Sequence, residues 1–144
     1  MNLSKVGVPA YPEETELWWR DQAARAWPEE GEAKTFGRLR EEIARQSDLF
    51  NKEREFSPRS YGVRDASLLA YGNFFFPRTW THLAHVLAEM VRFRGWKPPL
   101  KGPLRILDLG CGTGAAGLSA LRFLRSENVP NPLSLRAVDY SGKS

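Results

Sequence analysis

The chain of 144 residues has one cysteine and two histidines. A single cysteine excludes a disulfide framework and fits a reducing compartment. His82 and His85 lie three residues apart on an expected helix, but a metal ion needs more ligands than this pair supplies. We therefore expect surface histidines and no metal site. No apolar run approaches the ~20 residues of a membrane span, and the N-terminus does not have the pattern of a secretory signal, so we expect a cytoplasmic protein without a membrane partner.

Positive charge is concentrated in the last third of the chain. Residues 91–144 carry nine basic and three acidic side chains, whereas residues 1–90 carry twelve basic and fourteen acidic ones. A basic segment is compatible with an RNA partner, because the nucleic-acid backbone is a polyanion. A solvated basic surface accounts for the same charge, so both interpretations stay open.

The first hundred residues have the pattern of helices. Acidic first turns, helical apolar spacing and proline or glycine at the ends predict helices over 13–27, 32–55, 65–76 and 79–93, with Pro77 between the last two. Adjacent residues on a helix point apart, so one of Trp18 and Trp19 is expected in the core, and the other is open as a binding patch. Residues 98–103 form a linker. These patterns predict a helical region over 1–100, and residues 101–144 as the start of a second domain.

The segment from Leu104 to Gly114 is the most informative one, and it reads Leu-Arg-Ile-Leu-Asp-Leu-Gly-Cys-Gly-Thr-Gly. Its four apolar residues predict a short buried parallel strand. Three glycines at alternate positions let the backbone turn sharply and a ligand approach closely. Residues 115–125 have helix-forming composition and apolar spacing. Strand, glycine turn and helix together are typical of the first unit of a nucleotide-binding α/β fold.

Two classes of ligand fit this glycine turn. Gly110-x-Gly112-x-x-Ala115 fits a dinucleotide fingerprint, whose third position tolerates alanine. Asp108, two residues before Gly110, argues against a dinucleotide, because a carboxylate repels a pyrophosphate. The same acid favours S-adenosylmethionine, which carries a sulfonium and an ammonium group and no phosphate. For Asp108 a structural hydrogen bond and a water-mediated cofactor contact stay open, and Cys111 is interpreted as a small side chain in a tight loop.

Residues 107–114, Leu-Asp-Leu-Gly-Cys-Gly-Thr-Gly, resemble motif I of class I S-adenosylmethionine-dependent methyltransferases. The resemblance implies a Rossmann-like sheet whose glycine loop runs beside the methionine and ribose parts of the cofactor. It also implies that an acid at the end of the second strand, predicted over 133–138, holds the ribose hydroxyls. A loop acid or a helix cap is the alternative for that position. The implied cofactor-binding residues are Asp108, Gly110, Cys111, Gly112, Thr113, Gly114, the ribose acid Asp139, and Tyr140 and Ser141 beside the adenine.

A narrower resemblance joins the helical region to motif I. Residues 70–80, Ala-Tyr-Gly-Asn-Phe-Phe-Phe-Pro-Arg-Thr-Trp, followed by 83–90, motif I and Ala-Val-Asp-Tyr-Ser at 137–141, are similar to the ribosomal small-subunit methyltransferase-like family of mitochondria and bacteria. The similarity covers roughly residues 60–144. It implies methyl transfer to ribosomal RNA or association with the small ribosomal subunit, in the cytoplasm or in the mitochondrion of a eukaryote. The iron–sulfur cluster of some members is not carried over to this chain, which has a single cysteine.

The sequence thus predicts an α/β fold with N-terminal helices followed by the first β-α-β unit of an incomplete Rossmann-like sheet. The substrate-side motif of such a sheet follows later strands, so the sequence predicts no catalytic residue. We expect the remainder of the domain in a longer chain, and residues 1–144 alone to be inactive and to bind cofactor weakly.

Functions from three classes stand at this stage. The first is a ribosomal RNA methyltransferase that aligns donor and acceptor at short distance. The second is a non-catalytic ribosome-assembly factor with a retained cofactor loop, and the third is an NAD(P)-dependent oxidoreductase, against which Asp108 argues. A small-molecule methyltransferase is the rival within the enzyme class, because motif I does not encode the methyl acceptor.

Overall fold

The computed structural model describes residues 6–52, 65–99 and 101–139. Within these ranges the elements in chain order are the helices α1 (Glu13–Ala26), α2 (Glu32–Lys52) and α3 (Asp65–Ala70), a π-helical turn (Tyr71–Phe75), α4 (Phe76–Arg94), β1 (Leu104–Leu109), α5 (Ala115–Ser126) and β2 (Leu133–Val138). The predicted order of N-terminal helices and then a β-α-β unit is confirmed. The helix predicted over 32–55 is observed to Lys52, and residues 53–55 lie outside the described part.

The elements belong to two compact units. The helical unit comprises 12–52 and 65–77, and the sheet unit comprises 6–11 and 78–139. Most of α4 therefore belongs with the strands, although the sequence groups all residues up to 100 with the helices. No helix in the described ranges has the length and hydropathy needed to cross a membrane.

In the helical unit, small and apolar side chains from three helices form the core. Ala23 of α1, Leu39 of α2, and Leu69 and Ala70 of α3 are buried together. Of the adjacent tryptophans, Trp19 is 7% exposed and Trp18 is 53% exposed. The expectation that only one of them enters the core is confirmed, because neighbouring positions on a helix face different directions.

A buried polar cluster joins α2 to α3. Glu42 is 7% exposed and accepts hydrogen bonds from the Arg45 guanidinium and from the hydroxyl of Ser67. Arg45 also donates to the Ser67 hydroxyl at 2.9 Å, and Gln46 donates through Nε2 to the Ser67 carbonyl at 2.7 Å. The hydrogen bonds that Arg45 donates to the Glu42 carboxylate raise the pKa of Arg45. Pairing of the buried carboxylate offsets its desolvation, so this cluster fixes how α3 sits on the charged helix α2.

The π turn differs from the break that the sequence predicts around Pro77. The N–H of Phe76 donates to the Tyr71 carbonyl, five residues back, instead of four. In an α-helix the Pro77 ring would meet the carbonyl of residue 73, four residues before it, and no N–H would pair with that carbonyl. One wider turn just before the proline relieves this conflict, so the chain passes into α4 without leaving the helical conformation.

The sheet unit contains a parallel pair of strands covered by helices on one face. β1 and β2 pair in register from Leu104 opposite Leu133 to Leu109 opposite Val138. Leu104, Ile106 and Leu133 pack on a buried cluster formed by residues of α4 and α5 and by Val6: Val6, Ala88, Val91, Phe123 and Leu124. The N-terminal segment is fixed there, because Arg92 donates through Nε to the Val6 carbonyl at 2.8 Å.

Described side chains on the other face of the sheet are exposed. Leu107 is 60% exposed and Leu109 is 71% exposed, and Val138 beside Leu109 is 45% exposed. The expectation that β1 is a buried strand is therefore wrong: its alternate residues Leu104, Ile106 and Asp108 are partly buried, and the others are exposed. The physical reason is that one helix layer covers one face, whereas a parallel sheet buries apolar residues on both.

We predict that Gly72→Ala destabilises the helical unit by about 1–3 kcal/mol, because overpacking a filled core costs that much. A β-carbon at residue 72 would lie 2.2 Å from the Trp19 ring. Gly37→Ala is the matched control, since this helical glycine has open space around its β-carbon position, and alanine there should be neutral or stabilising. Urea denaturation of both variants checks the prediction, and equal stability would contradict the close Trp19–Gly72 packing.

Candidate cofactor-binding site

The predicted site residues that the structure describes come together where β1 and β2 end. Because the strands are parallel and in register, their carboxyl ends meet at one edge, where ligands collect in open α/β sheets. Asp108 lies near the end of β1, and the glycine loop, residues 110–114, follows it. Asp139 comes directly after β2. Tyr140 and Ser141 lie outside the described residues.

The loop reverses direction through left-handed backbone conformations. The φ angles are 68° at Gly110, 52° at Gly112 and 83° at Gly114. An L side chain rarely adopts such values, which is why this turn needs glycines at alternate positions. Gly112 is also buried, and Gly114 forms the N-terminal cap of α5 with no side-chain capping group.

Three successive amides of the loop are held by the end of β2. The N–H groups of Gly110 and Cys111 both donate to the Val138 carbonyl, at 2.8 and 3.2 Å. The N–H of Gly112 donates to Oδ2 of Asp139 at 2.8 Å. Successive amides in a turn of this kind form an anion-binding concavity, and here a carbonyl and a carboxylate of the same chain fill it.

Asp108 makes a structural hydrogen bond. Its Oδ2 accepts the N–H of Gly117, in the first turn of α5, at 2.8 Å. A carboxylate is favourable at a helix N-terminus, where four N–H groups lack helical partners. Of the two roles considered for Asp108, the structural hydrogen bond is observed. The water-mediated cofactor contact stays a prediction.

Gly117 is a further residue of the site, which the sequence patterns did not indicate. A β-carbon there would lie 2.8 Å from Cδ1 of Leu135 in β2 and 3.0 Å from Oδ2 of Asp108. Only glycine lets α5 approach the strands this closely, which corresponds to the packing role of the third glycine in nucleotide-binding fingerprints. Its position three residues after Gly114 was the available signal.

Two loop side chains differ in how their polar atoms are satisfied. The hydroxyl Oγ1 of Thr113 is buried and has no hydrogen-bond partner, an arrangement that natural structures rarely leave without water or ligand. The Cys111 thiol contacts the Gly112 carbonyl at 3.6 Å. Desolvation, followed by the charges of Asp108 and Asp139, raises the pKa of Cys111, so the thiol is protonated at neutral pH. This fits the interpretation of Cys111 as a small loop side chain.

The histidine pair and the exposed tryptophan, which the sequence also singles out, lie outside the loop. His82 and His85 are exposed on α4, as expected. Trp18 lines a groove of about 600 Å³ between α1 and α2, with Leu17 and Phe36 beside it. The carboxylates of this groove are already paired: Glu32 with Arg20, Asp21 with Arg25 and Glu30 with Arg38.

Comparison with known proteins identifies no relative. No protein-family model matches the chain, and neither a curated protein nor a solved structure matches it significantly.

We predict that Asp108→Ala lowers the free energy of unfolding by about 1.5–3 kcal/mol, the usual contribution of a hydrogen bond to a charged group. Asp108→Asn should lose less, because its amide oxygen can still accept the Gly117 N–H. Glu89→Ala, which removes an exposed acid from α4, is the matched control and should change little. If denaturation without cofactor gives all three variants the same stability, Asp108 has no structural role.

We also predict slow alkylation of Cys111. Because its pKa is raised, the fraction of reactive thiolate at pH 7.5 is below that of an unstructured cysteine, and it grows only as the pH rises past the ordinary thiol value. Iodoacetamide labelling followed by mass spectrometry should show a rate midpoint at higher pH in the folded protein than in urea. A midpoint at lower pH in the folded protein would indicate an activated thiol instead.

Proposed function

We propose that this protein forms the start of the cofactor domain of an S-adenosylmethionine-dependent methyltransferase with a Rossmann-like sheet. The observation that carries the proposal is the glycine loop, whose amides are held by Val138 and Asp139 and whose ends are flanked by two carboxylates. A loop with this charge suits a cationic ligand that approaches the backbone closely.

Electrostatics support adenosylmethionine over a dinucleotide. Asp108 and Asp139 both lie beside the loop, and the Coulomb interaction of each with a pyrophosphate would be repulsive. The sulfonium and the ammonium of adenosylmethionine would be attracted by the same two carboxylates. Asp108 thus favours the methyl donor and disfavours NAD(P), whereas an acid at the position of Asp139 can hold the ribose of either cofactor.

The hydrogen bonds of the loop support the same choice. A dinucleotide site offers free backbone N–H groups to phosphate oxygens at a helix N-terminus. Here the amides of Gly110, Cys111 and Gly112 donate to β2, and the Gly117 amide donates to Asp108. A pyrophosphate would have to replace these bonds, whereas a ligand without phosphate would not.

The residues present fit the cofactor. The buried Thr113 hydroxyl lacks a partner that a bound ligand or a water would supply. A carboxylate has about four acceptor positions, so Asp139 can accept the Gly112 N–H and also hold ribose hydroxyls. Gly110, Cys111 and Gly114 would line the methionine and ribose, and Tyr140 and Ser141 would adjoin the adenine. The bound cofactor would supply an electrophilic methyl group, and the loop would fix its position relative to an acceptor.

For the acceptor we propose RNA of the small ribosomal subunit, in the cytoplasm or in a mitochondrion. The described part of the sheet unit carries nine basic and four acidic residues, which favours a polyanionic substrate. A non-catalytic assembly factor with the same loop, and a small-molecule methyltransferase, are the alternatives that the experiments below separate.

We predict micromolar binding of S-adenosylhomocysteine to the complete gene product, measured by calorimetric titration. Transfer of labelled methyl from adenosylmethionine to small-subunit ribosomal RNA would then establish the enzyme. Binding without transfer to RNA or to small molecules would favour the assembly factor. Binding of NADH but not of S-adenosylhomocysteine would contradict the proposal.

In the same titration, Asp139→Ala should weaken binding by about 1–3 kcal/mol, because charge-assisted hydrogen bonds to the ribose are lost. Gly112→Asp should abolish binding, since its φ of 52° strains any side chain and the position is buried. Glu89→Ala is the matched control for removal of an acid, and it should bind as the unmodified protein does. Unchanged affinity in Asp139→Ala would exclude the ribose role.

A further inference from the structure

The end of the sheet unit opposite the glycine loop is basic. Five exposed cationic residues lie there, which we call the basic end: Arg94, Lys97, Lys101, Arg105 and Arg125. They come from the last turn of α4, the segment before β1, the first residues of β1 and the last turn of α5.

Specific contacts hold these segments together. Asn131, just before β2, donates through Nδ2 to the carbonyls of Pro99 at 3.0 Å and Gly102 at 2.7 Å. The N–H of Leu104 donates to the Pro132 carbonyl at 2.9 Å. Trp96 packs on the cluster that contains Phe123 and Leu124 of α5. The basic residues therefore belong to one surface of a folded unit, although they are up to 31 positions apart in sequence.

The charges of this surface are not neutralised. None of its five cations forms a salt bridge within the part of the chain that the structure describes. Asp108 and Asp139 lie at the other end of the strands, which leaves Glu127 as the acid within this end. A helix dipole accounts for cations at the C-termini of α4 and α5, but not for Lys97, Lys101 or Arg105.

An exposed aromatic ring accompanies the cations. Phe93, in the last turn of α4 next to Arg94, is 78% exposed, the most exposed large apolar side chain that the structure describes. Water contact at such a ring is unfavourable, so a ligand that stacks on it gains apolar burial. Aromatic platforms beside a cationic groove are how proteins bind single-stranded nucleic acid without strict sequence preference.

We propose that the basic end binds single-stranded RNA, with Phe93 stacking a base and Arg94, Lys97 and Lys101 contacting phosphates. This inference deepens the proposed function and rests on its RNA partner. β1 has six residues and spans about 20 Å, so the surface lies that far from the glycine loop. It anchors RNA away from the point of methyl transfer and does not present the acceptor.

The test measures binding of a fluorescent 12-nucleotide uridine strand by anisotropy, without cofactor, over a range of salt concentrations. Replacing Arg94, Lys97 and Lys101 together by Gln should weaken binding at least tenfold. It should also make the negative slope of log K against log salt shallower by about 2, as the loss of three phosphate contacts to a single strand requires. The matched control replaces three exposed cations of the helical unit by Gln: Arg25, Lys34 and Arg40. It removes as much positive charge as the first triple variant. Equal weakening by the two triple variants would overturn the proposed surface.

The stacking contact has its own test. Phe93→Ala should weaken binding to the uridine strand at least fivefold with an unchanged salt slope, because base stacking carries no charge. Phe74→Ala removes another exposed ring, 44% exposed, and should have no effect. Equal affinity for an RNA duplex and the single strand, or an inert Phe93→Ala, would overturn the single-strand assignment, and binding of polyglutamate as tight as that of RNA would indicate an acidic protein partner.

The outcome is separable from that of the proposed function. RNA binding is measured without cofactor, and the titration with S-adenosylhomocysteine is carried out without RNA. Cofactor binding with no RNA binding would overturn this inference and leave the methyl donor site standing. RNA binding at the basic end with no cofactor binding would overturn the donor site alone.

Discussion

The pairing of β2 with β1 determines the shape of the glycine loop. The Val138 carbonyl accepts two loop amides and Asp139 accepts a third, so the loop is held by the strand that follows it in the sequence. These bonds require the two strands to be parallel and in register, because a shift of one residue would carry Val138 and Asp139 away from the loop. Asp108 and Gly117 then hold the start of α5 against the same strands. The site is thus formed mainly by backbone groups, with two carboxylates as the main charged participants.

This arrangement holds the loop in one conformation through groups of the protein itself. Left-handed glycines alone would leave the loop with many conformations of similar energy, since glycine loses more conformational freedom on folding than any other residue. Hydrogen bonds to β2 offset that entropy within the protein. A preformed loop reduces the ordering that a ligand would otherwise have to offset. The two carboxylates beside the loop make its surroundings negative, which favours a cationic ligand over an anionic one.

Local patterns in the sequence predicted the elements of the fold, and the contacts that depend on distant residues were not predictable from them. The alternate glycines and the apolar runs were sufficient to identify the loop and both strands. Gly117 was missed because its requirement comes from Leu135 in a strand that lies 18 positions later. The turn at Pro77 was expected to be a break, because proline preference is local, whereas the π turn depends on which carbonyl the ring would meet. Exposure of Leu107 and Leu109 could not be read from β1, since composition does not specify which faces of a strand are covered.

Any molecule that binds the exposed face of the sheet in the folded state would raise the stability of this unit. Fully burying a leucine or valine stabilises by about 1.5–3 kcal/mol, and three such side chains lie together there: Leu107, Leu109 and Val138. Anything that binds this face only in the folded state adds free energy that grows with its concentration relative to its Kd. The midpoint of unfolding will therefore depend on protein concentration if the chain associates through this face. The same dependence would make a stability measured in dilute solution the lowest value that the unit shows.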